Sequence, residues 1–304
     1  MKEISRRQFL VFTTAAGMVG TVSSLPLART ALASSATASG HVFTADEHGN
    51  SISRIDLRSG RVEIAQVAIT PHNVQYVAAG NRLLAVGMPA GSADGHSGDS
   101  HESSPQTGRL IVLDAGDIGS GKVVSVDIGA HPAHVVADRE GARAFATNSS
   151  DNTVSVIDLA TGSIIKAIAT GDYPHGLRMS PDGTIVCIAN VNNGSVSVID
   201  TVTLTEADRI AVGVAPVQVG FTPDGAHLYV SLRDENKVGV IDTVTRKVIG
   251  HIDVGRSPIQ LHVTPDGRFV YVANQGTEAE PDDKVSVIDV AKARVVQTIR
   301  TGKG

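Results

Sequence analysis

The sequence predicts an all-β protein made of a repeated four-stranded antiparallel unit. Three observations carry this. Prolines recur at Pro132, Pro174, Pro216 and Pro258, a period of 42, and Gly141, Gly183, Gly225 and Gly267 keep the same interval. Asp158, Asp200 and Asp242 close the matching runs "VSVID", "VSVID" and "VGVID". The runs between these marks are short, rich in valine and isoleucine, and free of helical periodicity. Four antiparallel strands in about 40 to 45 residues is the plan of a β-propeller blade.

The unit from Tyr173 to Gly213 sets out the elements in order. "GLRMS" is closed by the turn Pro181-Asp182-Gly183, "TIVCIAN" by Val191 to Gly194, and "SVSVID" by Thr201 to Thr203; "EADRIAVG" ends the unit. β-branched residues favour the pleated surface, and Pro-Asp-Gly and Asn-Gly favour turns. Upstream, residues 41 to 69 supply only three strands, "HVFTADE", "SISRIDL" and "RVEIAQVAI". The next unit opens at Pro71 and is 61 residues long rather than 42, because an insertion, residues 88–108, separates "RLLAVG" from "RLIVLD". About six blades result, the first one three-stranded. The last run, "VVQTIRTGKG", stops one residue before its next Pro-x-x opening. Two readings follow: a truncated seven-bladed parent, or a ring of six sectors with an incomplete first blade.

The N-terminus reads as an address. Ser5-Arg6-Arg7-Gln8-Phe9-Leu10 matches the twin-arginine export pattern, an apolar stretch follows, and Ala31-Leu32-Ala33 offers a cleavage site. Residues 1–33 are thus a signal peptide, 34–40 a short linker and 41–304 the propeller domain. The expected location is the periplasm or the exterior, reached folded, with no membrane span left after cleavage. A net charge of -5 and no later basic block argue against nucleic acid as a partner. Aromatic residues are only 3% of the chain and tryptophan is absent, which weakens readings that need stacking platforms. Cys187 is the single cysteine, so no internal disulfide forms, and its setting between Val186 and Ile188 predicts apolar packing.

The runs "IVCIAN", "LYVSLRDENKVGVID" and "FVYVANQ…KVSVID", with the Pro-His-Gly opening and the Ser/Thr-Pro-Asp-Gly turn, resemble the YVTN family of β-propeller repeats over residues 41 to 302. The resemblance implies strands a to d in each blade, with a innermost. Connections d–a and b–c then emerge on one face. Seven of the eleven histidines map there. His48 lies in the first b–c loop, His96 and His101 in the insertion, and His72, His131, His134 and His175 in d–a connections. Gln218 and Gln260 stand at the corresponding later positions, so the cluster leans toward the N-terminal blades.

Imidazoles with carboxylates nearby suit zinc or copper. The expected metal residues are His72, His96, His101, His134 and His175. His48, His131, Met88, Asp94, Asp99 and Glu102 are secondary, and Glu47 is close in sequence to His48. The His-rich segment also resembles that of periplasmic zinc-chaperone propellers. Against this, Pro-His-Gly is common in such repeats for turn packing, and the insertion is readable as a tolerated surface loop. The repeated aspartates, Asp56, Asp114 and Asp289 included, read as turn caps, and "GTEAEPDD" as solvated surface.

Three functions are therefore expected to compete. The first is an exported binding propeller for a metal ion, a cofactor or small ligand, or another exported protein. The second is a propeller enzyme, a lactonase-like hydrolase or a haem d1-type oxidoreductase; haem would take His72, His134 or His175 as axial ligand. The third is a structural or interaction scaffold. No C-x-x-C-H or H-E-x-x-H motif is present, and no Ser-His-Asp constellation can be singled out from spacing, to decide among them.

Overall fold

Short alternating runs separated by aspartate-capped turns have one efficient solution, a meander in which each strand pairs with the one before it. A computed structural model describes residues 39–91, 107–277 and 279–301. Among them are twenty-three strands, one turn of 3-10 helix at Arg233–Glu235 and no α-helix. The first sheet has three strands: β1 (His41–Asp46), β2 (Ser51–Asp56) and β3 (Val62–Gln66). The second holds β4 (Ile69–Val77), β5 (Arg82–Pro89), β6 (Thr107–Asp114) and β7 (Val124–Ala130). The third holds β8 (Pro132–Ala137), β9 (Arg143–Asn148), β10 (Thr153–Asp158) and β11 (Ser163–Ala169). The fourth holds β12 (Pro174–Met179), β13 (Ile185–Asn190), β14 (Ser195–Asp200) and β15 (Thr205–Ala211). The fifth holds β16 (Pro216–Phe221), β17 (His227–Leu232), β18 (Lys237–Asp242) and β19 (Lys247–Asp253). The sixth holds β20 (Pro258–Val263), β21 (Phe269–Asn274), β22 (Lys284–Asp289) and β23 (Arg294–Arg300). This is a six-bladed β-propeller whose first blade has three strands. One boundary differs from expectation: "RVEIAQVAI" is not one strand, since β3 stops at Gln66 and Ile69 already opens β4.

The inner strands stand side by side, β4 against β8, β8 against β12, β12 against β16 and β16 against β20, while β1 packs beside β4. Among the described residues, the sixth blade makes no comparable packing with the first. Blades cohere through their faces. Val136, Phe145, Val154 and Val156 of the third blade bury against Leu177, Val186, Ile188 and Ile199 of the fourth. Cys187 and Val198 of the fourth do the same against Val219, Leu228 and Val230 of the fifth. Burial pushes the Cys187 thiol up to about 12, so it packs as a small apolar residue, as its neighbours in sequence predict.

The turns behave as the aspartates predict. Asp200 Oδ1 accepts from the backbone N–H of Val202 at 2.9 Å and of Thr203 at 2.7 Å, and Asp158 does the same with Ala160 and Thr161. Asp242 caps Thr245 at 2.7 Å. Hydrogen bonds from Thr203, Thr161 and Thr245 respectively hold these carboxyls below their ordinary value of 3.8. A depressed carboxyl contributes stability that is complete above its unfolded value and is lost as pH falls through the folded one. Urea midpoints are therefore expected to hold from neutrality to about pH 4 and drop below it. Asp200→Asn should lessen that drop; an identical acid profile in the variant would show the cap to be inert.

Candidate metal centre

Proline cannot donate to a β-ladder, and each inner strand from β4 onward begins with or contains one at the same place. The ladder to the neighbouring strand breaks just after it: between Pro71 and Asn73, Pro132 and Val135, Pro174 and Leu177, Pro216 and Val219, and Pro258 and Gln260. In the last four blades the residue before the proline is left-handed, with φ of 54° at His131, 57° at Tyr173, 51° at Ala215 and 47° at Ser257. Its carbonyl accepts the backbone N–H of Ser149, Val191, Arg233 or Gln275, each at 3.0 Å. The bulge frees the next two residues from strict alternation and re-aims their side chains.

His72 and His175 are the first residues after their prolines and His134 the second after its own. The bulge lets all three converge. Their rings lie 5.0 Å (His134 and His175), 5.3 Å (His72 and His175) and 5.7 Å (His72 and His134) apart, centre to centre. One ring nitrogen from each lies within 4.8 Å of the others. These histidines were expected in d–a connections. They stand instead inside the inner strands β4, β8 and β12, because the pairing resumes around the bulge rather than after it.

The surroundings fix the rings. His72 Nδ1 bonds to the Glu47 carboxylate, carried by the β1–β2 turn. His175 Nδ1 donates to the Val217 carbonyl at 3.2 Å. Thr147 of β9, fully buried, accepts from the backbone N–H of His134 at 3.0 Å and donates to the carbonyl of His175 at 2.8 Å, tying two blades together. Gly176 has no room for a Cβ, which would collide with the Gln218 side chain and the Val217 carbonyl. Burial lowers the His175 imidazole to about 3, aided by His72, and lowers His134 well below the ordinary range, aided by His175. Both are neutral at neutral pH, the form a metal requires. With Nδ1–H engaged on His72 and His175, a neutral ring at either position presents a lone pair at Nε2, and the two Nε2 atoms face each other at 3.3 Å. That contact is repulsive unless a proton or a cation lies between them. His134 Nδ1 is buried without a partner.

The other expected residues divide. His131 is placed against Tyr173, whose hydroxyl meets its Nδ1 at 3.4 Å, outside the triad. His48 is exposed in the β1–β2 turn, and Met88 is half-buried in β5 opposite Thr70. His96, His101, Asp94, Asp99 and Glu102 lie outside the described residues, as do the signal peptide and most of the insertion. Strand pairing reaches in to Pro89 and out from Thr107, so the stretch between strands is shorter than residues 88–108. Gln218 and Gln260 continue the inner ring, joined by an amide hydrogen bond of 2.9 Å. Sequence reasoning missed Thr147 and the Val217 carbonyl, because neither carries a metal-ligand signature.

Two family models match parts of the chain: a YNCE-like β-propeller over residues 118–231 and a seven-bladed lactonase β-propeller over residues 185–293. Among solved structures, hydrazine synthase of Kuenenia stuttgartiensis is similar over 57% of this chain, with 27% identity and a TM-score of 0.54. The chain is a β-propeller protein. The similarity spans 50% of the hydrazine synthase chain, so only half of that protein is compared. No curated protein sequence matches this chain.

Proposed function

We propose that this protein is an exported, non-enzymatic propeller that holds a zinc or copper ion on His72, His134 and His175. The observation that carries this reading is the arrangement of three ring nitrogens within 4.8 Å of one another, each from a different blade. Tetrahedral zinc with Zn–N bonds of about 2.0–2.1 Å places its nitrogens about 3.3–3.4 Å apart. His72 Nε2 and His175 Nε2 are 3.3 Å apart, already at that spacing. The Glu47–His72 pair is the carboxylate–histidine arrangement that fixes the tautomer and raises the basicity of a metal-binding imidazole. The YVTN-like runs and the His-rich insertion support the same reading, and Arg6-Arg7 supports export.

Zinc titrated calorimetrically into chelator-stripped mature protein is expected to bind one to one, with Kd below about 10 μM, near -7 kcal/mol. Absence of binding at that level would end the metal assignment. Export is tested separately: Arg6→Lys with Arg7→Lys should leave the protein in the cytoplasm, and unchanged export would refute the twin-arginine reading.

A hydrolytic enzyme is the second reading, favoured by the lactonase match over residues 185–293. Three histidines leave a fourth position for water, which zinc would activate. Turnover of a panel of lactones by the zinc-loaded protein, lost in His175→Ala, would establish this reading over the first.

A further inference from the structure

The inner strands carry a second set of chemistry-bearing side chains three residues and more beyond the histidines. The fourth residue after the blade proline is Arg178 in β12, Gly220 in β16 and His262 in β20. Arg178 and His262 thus come from alternate blades, and the strand between them contributes no side chain at this level. A side chain there would have to displace Leu261, whose Cδ1 would lie 2.6 Å from a Cβ on Gly220.

Arg178 is an uncompensated cation. Its Nη1 donates to the Leu177 carbonyl at 2.9 Å. Among the described residues, no carboxylate lies within ion-pair distance of its guanidinium, whereas Arg143, Arg209 and Arg246 all pair with one. Burial alone moves Arg178, to about 10, so it remains charged at neutral pH. Its charge helps lower His134 in β8 and His262 in β20, for both of which burial is the larger cause. His262 is itself half-buried, and burial favours its neutral form, which leaves one ring N–H to donate. Arg178 is half-buried, so its charge is open to a partner arriving from solvent. A planar fork of N–H donors next to a neutral donor is the recognition chemistry for an oxyanion.

We propose that Arg178, with His262 opposite, binds the carboxylate of a small organic acid in the central channel. One guanidinium and one neutral imidazole supply one positive charge. A monoanion matches it, whereas a phosphate dianion would bring a second charge with no partner. This site shares no side chain with His72 and His175, and it does not depend on a metal being bound.

The test uses the mature protein stripped of metal by a chelator, with acetate as the probe. Acetate, chloride and phosphate are titrated at matched ionic strength, by calorimetry and by the rise in melting temperature that a native-state ligand produces. Acetate is expected to saturate one site, bind more tightly than chloride or phosphate, and raise the melting temperature. Arg178→Gln should weaken acetate at least about tenfold, the loss of a charge-assisted pair. His175→Ala should leave acetate binding intact, which separates this result from any failure of the metal assignment. Should Arg178→Gln not fold, Arg178→Lys keeps the charge but loses the fork, and should still weaken acetate while leaving chloride unchanged. Acetate binding no tighter than chloride, or indifferent to both Arg178 variants, would overturn the site. Phosphate binding more tightly than acetate would overturn its assignment to a monoanion.

Discussion

His175→Ala is expected to weaken zinc binding by at least about a hundredfold, since loss of an outer-shell partner alone typically costs ten- to a hundredfold. Three imidazoles supply all the described ligands, and removal of one leaves two nitrogens for an ion that prefers four ligands. Glu47→Gln should give a smaller loss, about ten- to a hundredfold, because the ring of His72 remains but its orientation and basicity are weakened. The order of the two effects is part of the prediction. His175 is half-buried, so its truncation disturbs the fold less than that of His134, which is fully enclosed. Competition against a chelating indicator measures the affinities, and circular dichroism confirms that each variant retains its strands. An affinity within about threefold of wild type for His175→Ala would exclude it as a ligand, because even the loss of a group that only hydrogen-bonds to a ligand costs more.

Phe145→Ala is expected to cost about 3–5 kcal/mol of unfolding free energy. The ring is fully buried in β9. It lies in the seam where Val136, Val154 and Val156 of its own blade meet Leu177, Val186 and Ile188 of the next. Among the described residues no strand of one blade pairs with a strand of another, so side-chain packing in such seams holds the blades in place. The Arg143 guanidinium also lies 5.8 Å from the ring centre and would lose that contact. Urea unfolding monitored by circular dichroism reads the change. A loss below about 1.5 kcal/mol would mean that neighbouring side chains collapse into the space.

The strands and turns were legible because they follow local rules. "VSVID" and "IVCIAN" are short apolar, β-branched runs bounded by turns, as strands buried on both faces are, and the aspartate that ends each third strand caps its own turn within three residues. The face carrying Glu47 and the histidines was legible too, since meander topology assigns loops to faces by order alone. The position of the histidines within the strands was not. Their convergence depends on bulges, and a bulge is a mismatch between two strands that neither sequence declares. Arg178 was silent for a related reason. An arginine in a strand looks solvent-facing until the fold shows that the strand is innermost and that no described acid reaches it.

The repeated bulge also separates two kinds of inheritance. Positions in the blade seams answer to one another through shape, so a change at Phe145 or Leu177 must be matched by a neighbour. Apart from Gly176, which has no room for a side chain, the two positions after each proline answer to the channel, and the chain already fills them variously with histidine, glutamine, asparagine, alanine, valine and isoleucine on one backbone. Drift at these slots can replace one ligand chemistry with another while the scaffold stays folded. A blade duplicated with its proline arrives with a pair of slots ready to be recruited, which makes the ring a surface on which new binding sites evolve without new folds.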